Sequence, residues 1–233
     1  MTGGIFDPKF NELPNELPVF PLEGALLLPG GTLPLNIFEP RYLTMIDHAL
    51  GQSRCIGMIQ PNNKSAHGIL DKGAIDQDTL DDDDVSLYKI GCLGRITSFM
   101  ETDDGRYLIS LQGLIRYNVA EETPAEFGYR RVIPDYNPYR PDLENTESED
   151  LDRTRLLSCL RNYFDLNNID ADWKAIEHTN NHRLVNTLAM ICPFSSAEKQ
   201  AILEASTLVQ RADIMETIMD MAVHQSNQNF AKQ

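Results

Sequence analysis

The sequence lacks the features that would mark a membrane, secreted, metal-binding or nucleic-acid-binding protein. No apolar run approaches the ~20 residues of a bilayer span. The N-terminal stretch MTGGIFDPKFNELPNE has neither the basic start nor the apolar core of a secretory signal, so the expected compartment is the cytoplasm. The four cysteines, Cys55, Cys92, Cys159 and Cys192, lie more than thirty residues apart with no Cys-x-x-Cys pair, so zinc has no local scaffold. Each stands in an apolar setting, as a buried reduced thiol would. The five histidines, His48, His67, His178, His182 and His224, are scattered. Only His178 and His182 share helical spacing, and Asn180-Asn181 interrupt it. No metal and no cofactor are expected.

Cations are scarce. Twenty Lys and Arg against 35 Asp and Glu leave a net charge of −15. A phosphate backbone is held by clustered Lys and Arg, so nucleic acid is not an expected partner. The acids are concentrated in two places, Asp76, Asp78 and Asp81–Asp84, then Asp142, Glu144, Glu147, Glu149, Asp150 and Asp152. Such runs read as solvated loops, and the first lacks the glycine and distal Glu of a calcium loop.

Catalytic motifs are missing too. There is no Gly-Lys dipeptide and hence no P-loop, no H-E-x-x-H and no G-x-S-x-G. No enzyme is expected. A hydrolase whose nucleophile is assembled from distant residues would leave no such trace and stands as a rival reading.

What is present is an ordinary globular composition, 233 residues and 42% hydrophobic, enough for one large domain or two modest ones. Leu17–Phe20 and Thr32–Phe38 read as short strands opened by prolines, with Pro29-Gly30-Gly31 as the turn between them. Glu39-Pro40 then starts a helix, Arg41–Leu50, with Leu43, Ile46, Asp47 and Leu50 on one side. CIGMIQ (residues 55–60) is a buried strand, followed by a long polar excursion to Asp84. Residues 85–100 and 106–120 form a hairpin around Asp103-Asp104-Gly105. Gly113 inside its second arm marks a bulge or a close backbone approach. FGYRRVIP (127–134) is a further strand.

From Glu149 onward the apolar period becomes helical. Leu156, Leu160 and Phe164 repeat, then Leu184, Leu188 and Ile191, then Ile214, Ile218 and Met221. Thr146-x-x-Glu149, Ser195-x-x-Glu198 and Thr207-x-x-Gln210 are capping boxes. The expected organisation is a β-rich lobe over 1–145 and a helical lobe over 146–233.

The same residues carry a family resemblance in three blocks. Pro18, Pro21, Pro29, Gly30, Leu35, Phe38, Glu39, Pro40, Arg41 and Tyr42 resemble the opening of the substrate-recognition domain at the N-terminus of the ATP-dependent protease Lon. Gly91, Gly94, Arg95, Ile96, Asp104, Gly105, Arg106, Gly113, Arg116 and Tyr117 resemble its central hairpin. Pro193, Glu198, Lys199, Leu203 and Arg211 resemble its helical end. The chain is similar to that domain alone, without ATPase or peptidase parts. The resemblance implies an α+β fold: a curved, mainly antiparallel sheet or partial barrel of PUA-like type carrying one helix, followed by a helical bundle. It also implies a non-catalytic polypeptide-recognition module, an adaptor or regulator in protein quality control. Its partners would be unfolded or extended segments, docked between the lobes or along a sheet edge and passed to a protease or chaperone.

Four residues are candidate substrate contacts. Phe38 and Tyr42 could line an apolar groove, or else form a rigid corner with Arg41 on an interior carboxylate. Met215 and Met219 could offer an adaptable surface or widen a buried face. Pro29, Gly30, Glu39, Arg41, Gly94, Arg106, Gly113 and Arg116 are expected to hold the scaffold. The main rival is a small-ligand binder using the inter-lobe cleft, as the cereblon relative of this domain does, for which a cage of aromatics would be needed. The single tryptophan, Trp173, has no aromatic neighbour in sequence.

Overall fold

The computed structural model describes residues 4–62, 85–144 and 151–230, with side chains described to residue 226. Asp76, Asp78, Asp81–Asp84 and the Thr146/Glu149 capping box lie outside the described residues. The chain divides into two compact units, Met1–Asn145 and Thr146–Gln233.

The first unit is built on six strands: β1 (Leu17–Pro21), β2 (Thr32–Ile37), β3 (Cys55–Ile59), β4 (Ile90–Glu101), β5 (Tyr107–Thr123) and β6 (Arg131–Asp135). They form one mixed sheet in the order β2-β5-β4-β3-β1-β6. Among the described strands only β1 and β3 run parallel. β6 pairs with β1 and also with the far end of β5, so the sheet must curve strongly. β5 makes this possible through its length, 17 residues, and through its irregularities. Its register against β4 shifts at Leu114, and its register against β6 shifts at Ala120; an extra residue of this kind bends and twists a strand.

β1 and β2 are not a hairpin, although a turn does lie between them. The Gly30 N–H donates to the Gly113 carbonyl at 2.8 Å and the Gly113 N–H to the Gly31 carbonyl at 2.9 Å. The Pro29-Gly30-Gly31 corner therefore docks on β5. Gly105, with φ of 79°, supplies the turn of the β4–β5 hairpin in a conformation that a side chain would resist.

The one α-helix among the described residues of this unit, α1 (Pro40–Leu50), begins with proline at its first turn and buries Tyr42, Met45, Ile46 and Ala49. This is a different face from the expected Leu43/Ile46/Asp47/Leu50 stripe. Tyr42 and Met45 bind the sheet side, and Asp47 is left exposed.

Beneath the sheet, Arg116 is held by Asp142 of a short 3-10 segment, Asn137–Asp142. Its Nε and Nη2 donate to the two carboxylate oxygens at 2.9 and 2.8 Å, and its backbone N–H donates to Oδ2 at 3.0 Å. The Arg116 side chain is buried and that of Asp142 half-buried, and Tyr139 lies 4.8 Å from the guanidinium. Three hydrogen bonds compensate the loss of hydration that burying these charges incurs.

The second unit is helical: α2 (Arg153–Leu166), α3 (Trp173–His178), α4 (Asn181–Ile191), α5 (Ser196–Glu204) and α6 (Leu208–Phe230). α2 starts four residues later than expected, capped by Asp152, whose side chain accepts from the Arg155 N–H at 3.1 Å. The Ser195/Glu198 capping box forms as expected, with reciprocal side-chain to backbone bonds. Thr207 caps α6 through the Gln210 N–H, while the Gln210 side chain reaches the Ser206 N–H, one residue further back than expected.

α6 packs on α2, α4 and α5. Its buried face is Arg211, Ala212, Met215, Glu216 and Met219. The expected Ile214/Ile218/Met221 stripe is thus out of phase, and Met221 is 55% exposed. Ile191, expected on the buried face of α4, is also exposed; Leu184, Val185, Leu188 and Ala189 fill that face. The buried polar residues of α6 are satisfied. Arg211 donates to Asn186 at 2.6 Å, and Glu216 receives Arg155 at 2.8 Å.

Candidate functional site

The FEPRY corner separates its aromatics. Tyr42 turns inward, is buried, and meets Phe20 with ring centroids 4.4 Å apart. Phe38 turns outward and is 60% exposed. Arg41 pairs with Glu39, two residues back in the chain, its Nε and Nη2 donating to the carboxylate at 3.1 and 2.9 Å. The Arg41 guanidinium also covers the Tyr42 ring at 4.6 Å. Glu39 and Arg41 therefore brace the strand-to-helix corner, with Phe38 at its apex.

Strand register shows what surrounds Phe38. Directly opposed residues of antiparallel strands share a face. Met100 pairs with Leu108, and Leu108 with Asn36, so these three lie in one row across β4, β5 and β2. Arg106 and Phe38 continue the same face by alternation, and the Arg106 guanidinium stands 5.8 Å from the Phe38 ring. Arg106 is also paired with Asp104 at 2.9 Å, both largely exposed. This face leaves Phe38, Met100 and Leu108 open to solvent, at 60%, 54% and 37% exposure. β2 is the terminal strand of the sheet. Its Pro34 has no N–H to give the ladder, as suits an edge position. The opposite face of this arm is apolar too, with Phe99 and Tyr107 edge-to-face at 4.9 Å. Burial and the Asp47 side chain push the Tyr107 phenol up.

The arrangement is an exposed apolar strip beside an open strand edge. It can accept an extended chain whose alternate side chains are apolar. Met100 and Leu108 were not among the sequence candidates. The signal was present, an apolar residue at an outward position on each arm of the hairpin, but reading it required the register.

Met215 and Met219 are completely buried in the helical unit. They offer no surface to a ligand, because the buried phase of α6 runs through them and not through Met221. Gly94 and Gly113 serve packing: a β-carbon at Gly94 would meet Leu27 at 2.8 Å, and one at Gly113 the Leu28 carbonyl oxygen at 2.2 Å. Trp173 has Phe164 at 5.8 Å and the Arg161 guanidinium at 4.2 Å, one aromatic neighbour among the described residues.

All four thiols are buried. Burial pushes Cys55 up to about 11, against smaller opposing effects of Ser53 and Arg95. It pushes Cys192 up to about 12, and burial with the Asp220 side chain pushes Cys159 up to about 11. None of these three is a thiolate near neutral pH. Among the described residues no group of three or more His, Cys, Asp or Glu converges to hold a metal ion. No described helix is long and apolar enough to cross a membrane.

A profile describing the ATP-dependent protease La (LON) substrate-binding domain matches residues 16–221. Among curated proteins, the Lon protease of Flavobacterium johnsoniae is 27% identical over 215 residues, spanning 91% of this chain and 24% of that protein. Lon protease 2 of Myxococcus xanthus is 28% identical over 140 residues, or 60% of this chain and 15% of that one. The chain thus spans about a quarter or less of the length of these relatives. A crystal structure of a Lon N-terminal domain protein from Xanthomonas campestris superposes with a TM-score of 0.55 at 20% identity, covering 86% of this chain and 96% of that one. The N-terminal domain of Mycobacterium avium complex Lon protease gives 0.58 at 15% identity, covering 88% and 98%. These two structures show the fold.

Proposed function

The chain belongs to the Lon substrate-binding domain family, and from that premise we propose that it is a non-catalytic module that captures exposed, extended polypeptide. The observation that carries this reading is the solvent-open apolar face formed by Leu108 and Met100, paired across β5 and β4, with Phe38 just past the end of the terminal strand β2. Native proteins bury such faces in their cores, so a surface that keeps one open is suited to unfolded chains, which expose theirs. An extended segment alongside β2 places every second side chain on this face, while Arg106 above Phe38 limits how deeply it seats. The role is that of an adaptor or regulator in protein quality control, handing a captured segment to a protease or chaperone. The net charge of −15 favours segments bearing lysine and arginine and disfavours nucleic acid.

The test is capture of a reduced, carboxymethylated model protein against its native form, followed by hydrogen exchange. Selective capture of the unfolded form, with protection over residues 36–38 and 100–108, supports the reading. Indifference to both forms defeats it.

A second reading, small-ligand binding, is favoured by a cavity of about 340 Å³ walled by Asp7, Phe10, Gly30, Gly113, Arg140 and Asp142. Its two aspartates are already held, Asp7 by Arg95 at 2.6 Å and Asp142 by Arg116. Lys9 and Arg140 are the cations that line it, Arg140 stacked 4.9 Å from the Phe10 ring and paired with Glu144 at 3.4 Å. Screening for a compound that protects residues 7–10 and 140–143 from exchange separates the two readings.

A further inference from the structure

The helical unit carries a groove that the polypeptide-capture surface does not use. It lies between α5 and α6, has a volume of about 400 Å³, and is lined by Ala197, Glu198, Ala201, Asp213, Ile214, Thr217 and Ile218. Its geometry follows from two i, i+4 pairs. Ala197 and Ala201 make a low, exposed stripe on α5, and Ile214 and Ile218 a half-buried apolar wall on α6. These isoleucines are the residues displaced from the core when Met215 and Met219 take the buried phase. The small residues let a third helix approach at ordinary packing distance, with its own apolar ridge lodged against the isoleucines.

Charge selects the occupant. Both charged residues lining the groove are acidic, Glu198 and Asp213. One Glu198 oxygen is engaged by Ser195 in the capping box, which leaves its negative charge in place. Asp213 is exposed at the opposite wall. A second copy meeting this groove face to face would set Asp213 and Glu198 against their equivalents, which like-charge repulsion disfavours. We infer that the groove docks the apolar face of an amphipathic helix whose apolar stripe is flanked by lysine or arginine, presented by a partner protein.

The experiment uses the full chain and a fluorescein-labelled synthetic helix with leucines at i, i+4 flanked by lysines. Two comparison peptides accompany it, one with glutamates in place of the lysines and one of the same composition in scrambled order. Saturable binding of the lysine helix is expected, with exchange protection over residues 197–201 and 213–218. Asp213→Lys should weaken it about fivefold, the scale of one exposed ion pair, and added salt should weaken it further. Ala201→Arg, at an exposed position, should abolish it without changing Tm, whereas Phe38→Ser should leave it intact. That last contrast keeps failure here distinct from failure of the capture surface. Equal binding of the glutamate or scrambled peptide overturns the inference, as does unchanged binding by Ala201→Arg. Concentration-dependent dimerisation abolished by Ala201→Arg overturns it too, since the occupant would then be a second copy.

Discussion

Gly113 lies so close beneath Leu28 that a β-carbon on it would stand 2.2 Å from the Leu28 carbonyl oxygen. The contact is backbone against backbone, locked by the reciprocal hydrogen bonds between Gly113 and the Gly30-Gly31 corner. No rotamer change can relieve it. Gly113→Ala should therefore destabilise the first unit by about 3 kcal/mol, at the upper end of overpacking costs, and lower the urea midpoint. Gly105→Ala, where nothing lies within 4 Å and only the positive φ is violated, should cost about 1 kcal/mol. Equal effects of the two would mean that the Leu28 loop yields freely.

Tyr117 is fully buried and its hydroxyl has no hydrogen-bond partner among the described residues. The phenol oxygen fills the space left by Gly57 and Gly91, where added β-carbons would each lie 2.5 Å from it. Removing an unsatisfied buried hydroxyl while keeping the ring should be neutral or stabilising by about 1 kcal/mol, so Tyr117→Phe is expected to raise Tm slightly. Gly57→Ala alone should destabilise, and Tyr117→Phe should rescue part of the loss. The rescue is incomplete because Leu17 also crowds that position at 2.8 Å. A double-mutant cycle by thermal unfolding reads both numbers.

Phe38 and Tyr42 should separate function from stability. Phe38→Ser, alone or with Leu108→Ser, is expected to leave Tm within about 2 °C of the parent, as exposed substitutions usually do, while reducing capture of unfolded protein severalfold. Tyr42→Ala should cost about 3–5 kcal/mol through the cavity left against Phe20. Full capture by the Phe38→Ser/Leu108→Ser variant would move the recognition surface elsewhere.

The buried thiols impose an alkaline limit on stability. Folding holds the protons of Cys55, Cys159 and Cys192 to about 11, 11 and 12, whereas the unfolded thiols ionise from about 8.5. Above that lower value the unfolded chain binds fewer protons than the folded one, so stability falls as pH rises and stops falling only beyond the folded values. Urea midpoints should decline between pH 8 and pH 10. At pH 8, a thiol reagent should label these three residues only as fast as the chain opens, which denaturant-dependent labelling rates would reveal.

Local chemistry was legible in the sequence, because its causes lie within a few residues. The proline that opens α1, the Gly105 turn and the Ser195/Glu198 cap each satisfy a backbone need with a neighbouring side chain. The Gly113 close approach was legible as one of two readings, and the three matching blocks pointed to the α+β fold that the related structures share. What burial and pairing decide was not legible. Both Tyr42 and Phe38 are aromatics beside a proline, and only the packing of α1 on the sheet sends one inward and the other out. On α6 the isoleucines and methionines offered two stripes one residue apart, with near-equal hydrophobicity. The core took Met215 and Met219, whose phase also lets Arg211 reach Asn186 and Glu216 reach Arg155. That choice opened the Ile214/Ile218 groove. The Asn36–Leu108–Met100 row, with Phe38 beside it, exists only because three strands adopt one register, and a shift by one residue would turn it to the other face. The sequence by itself determined most elements and several of their caps and turns, through bonds between near neighbours. Which faces meet water was left to the tertiary structure, since exposure is a property of the whole packed chain.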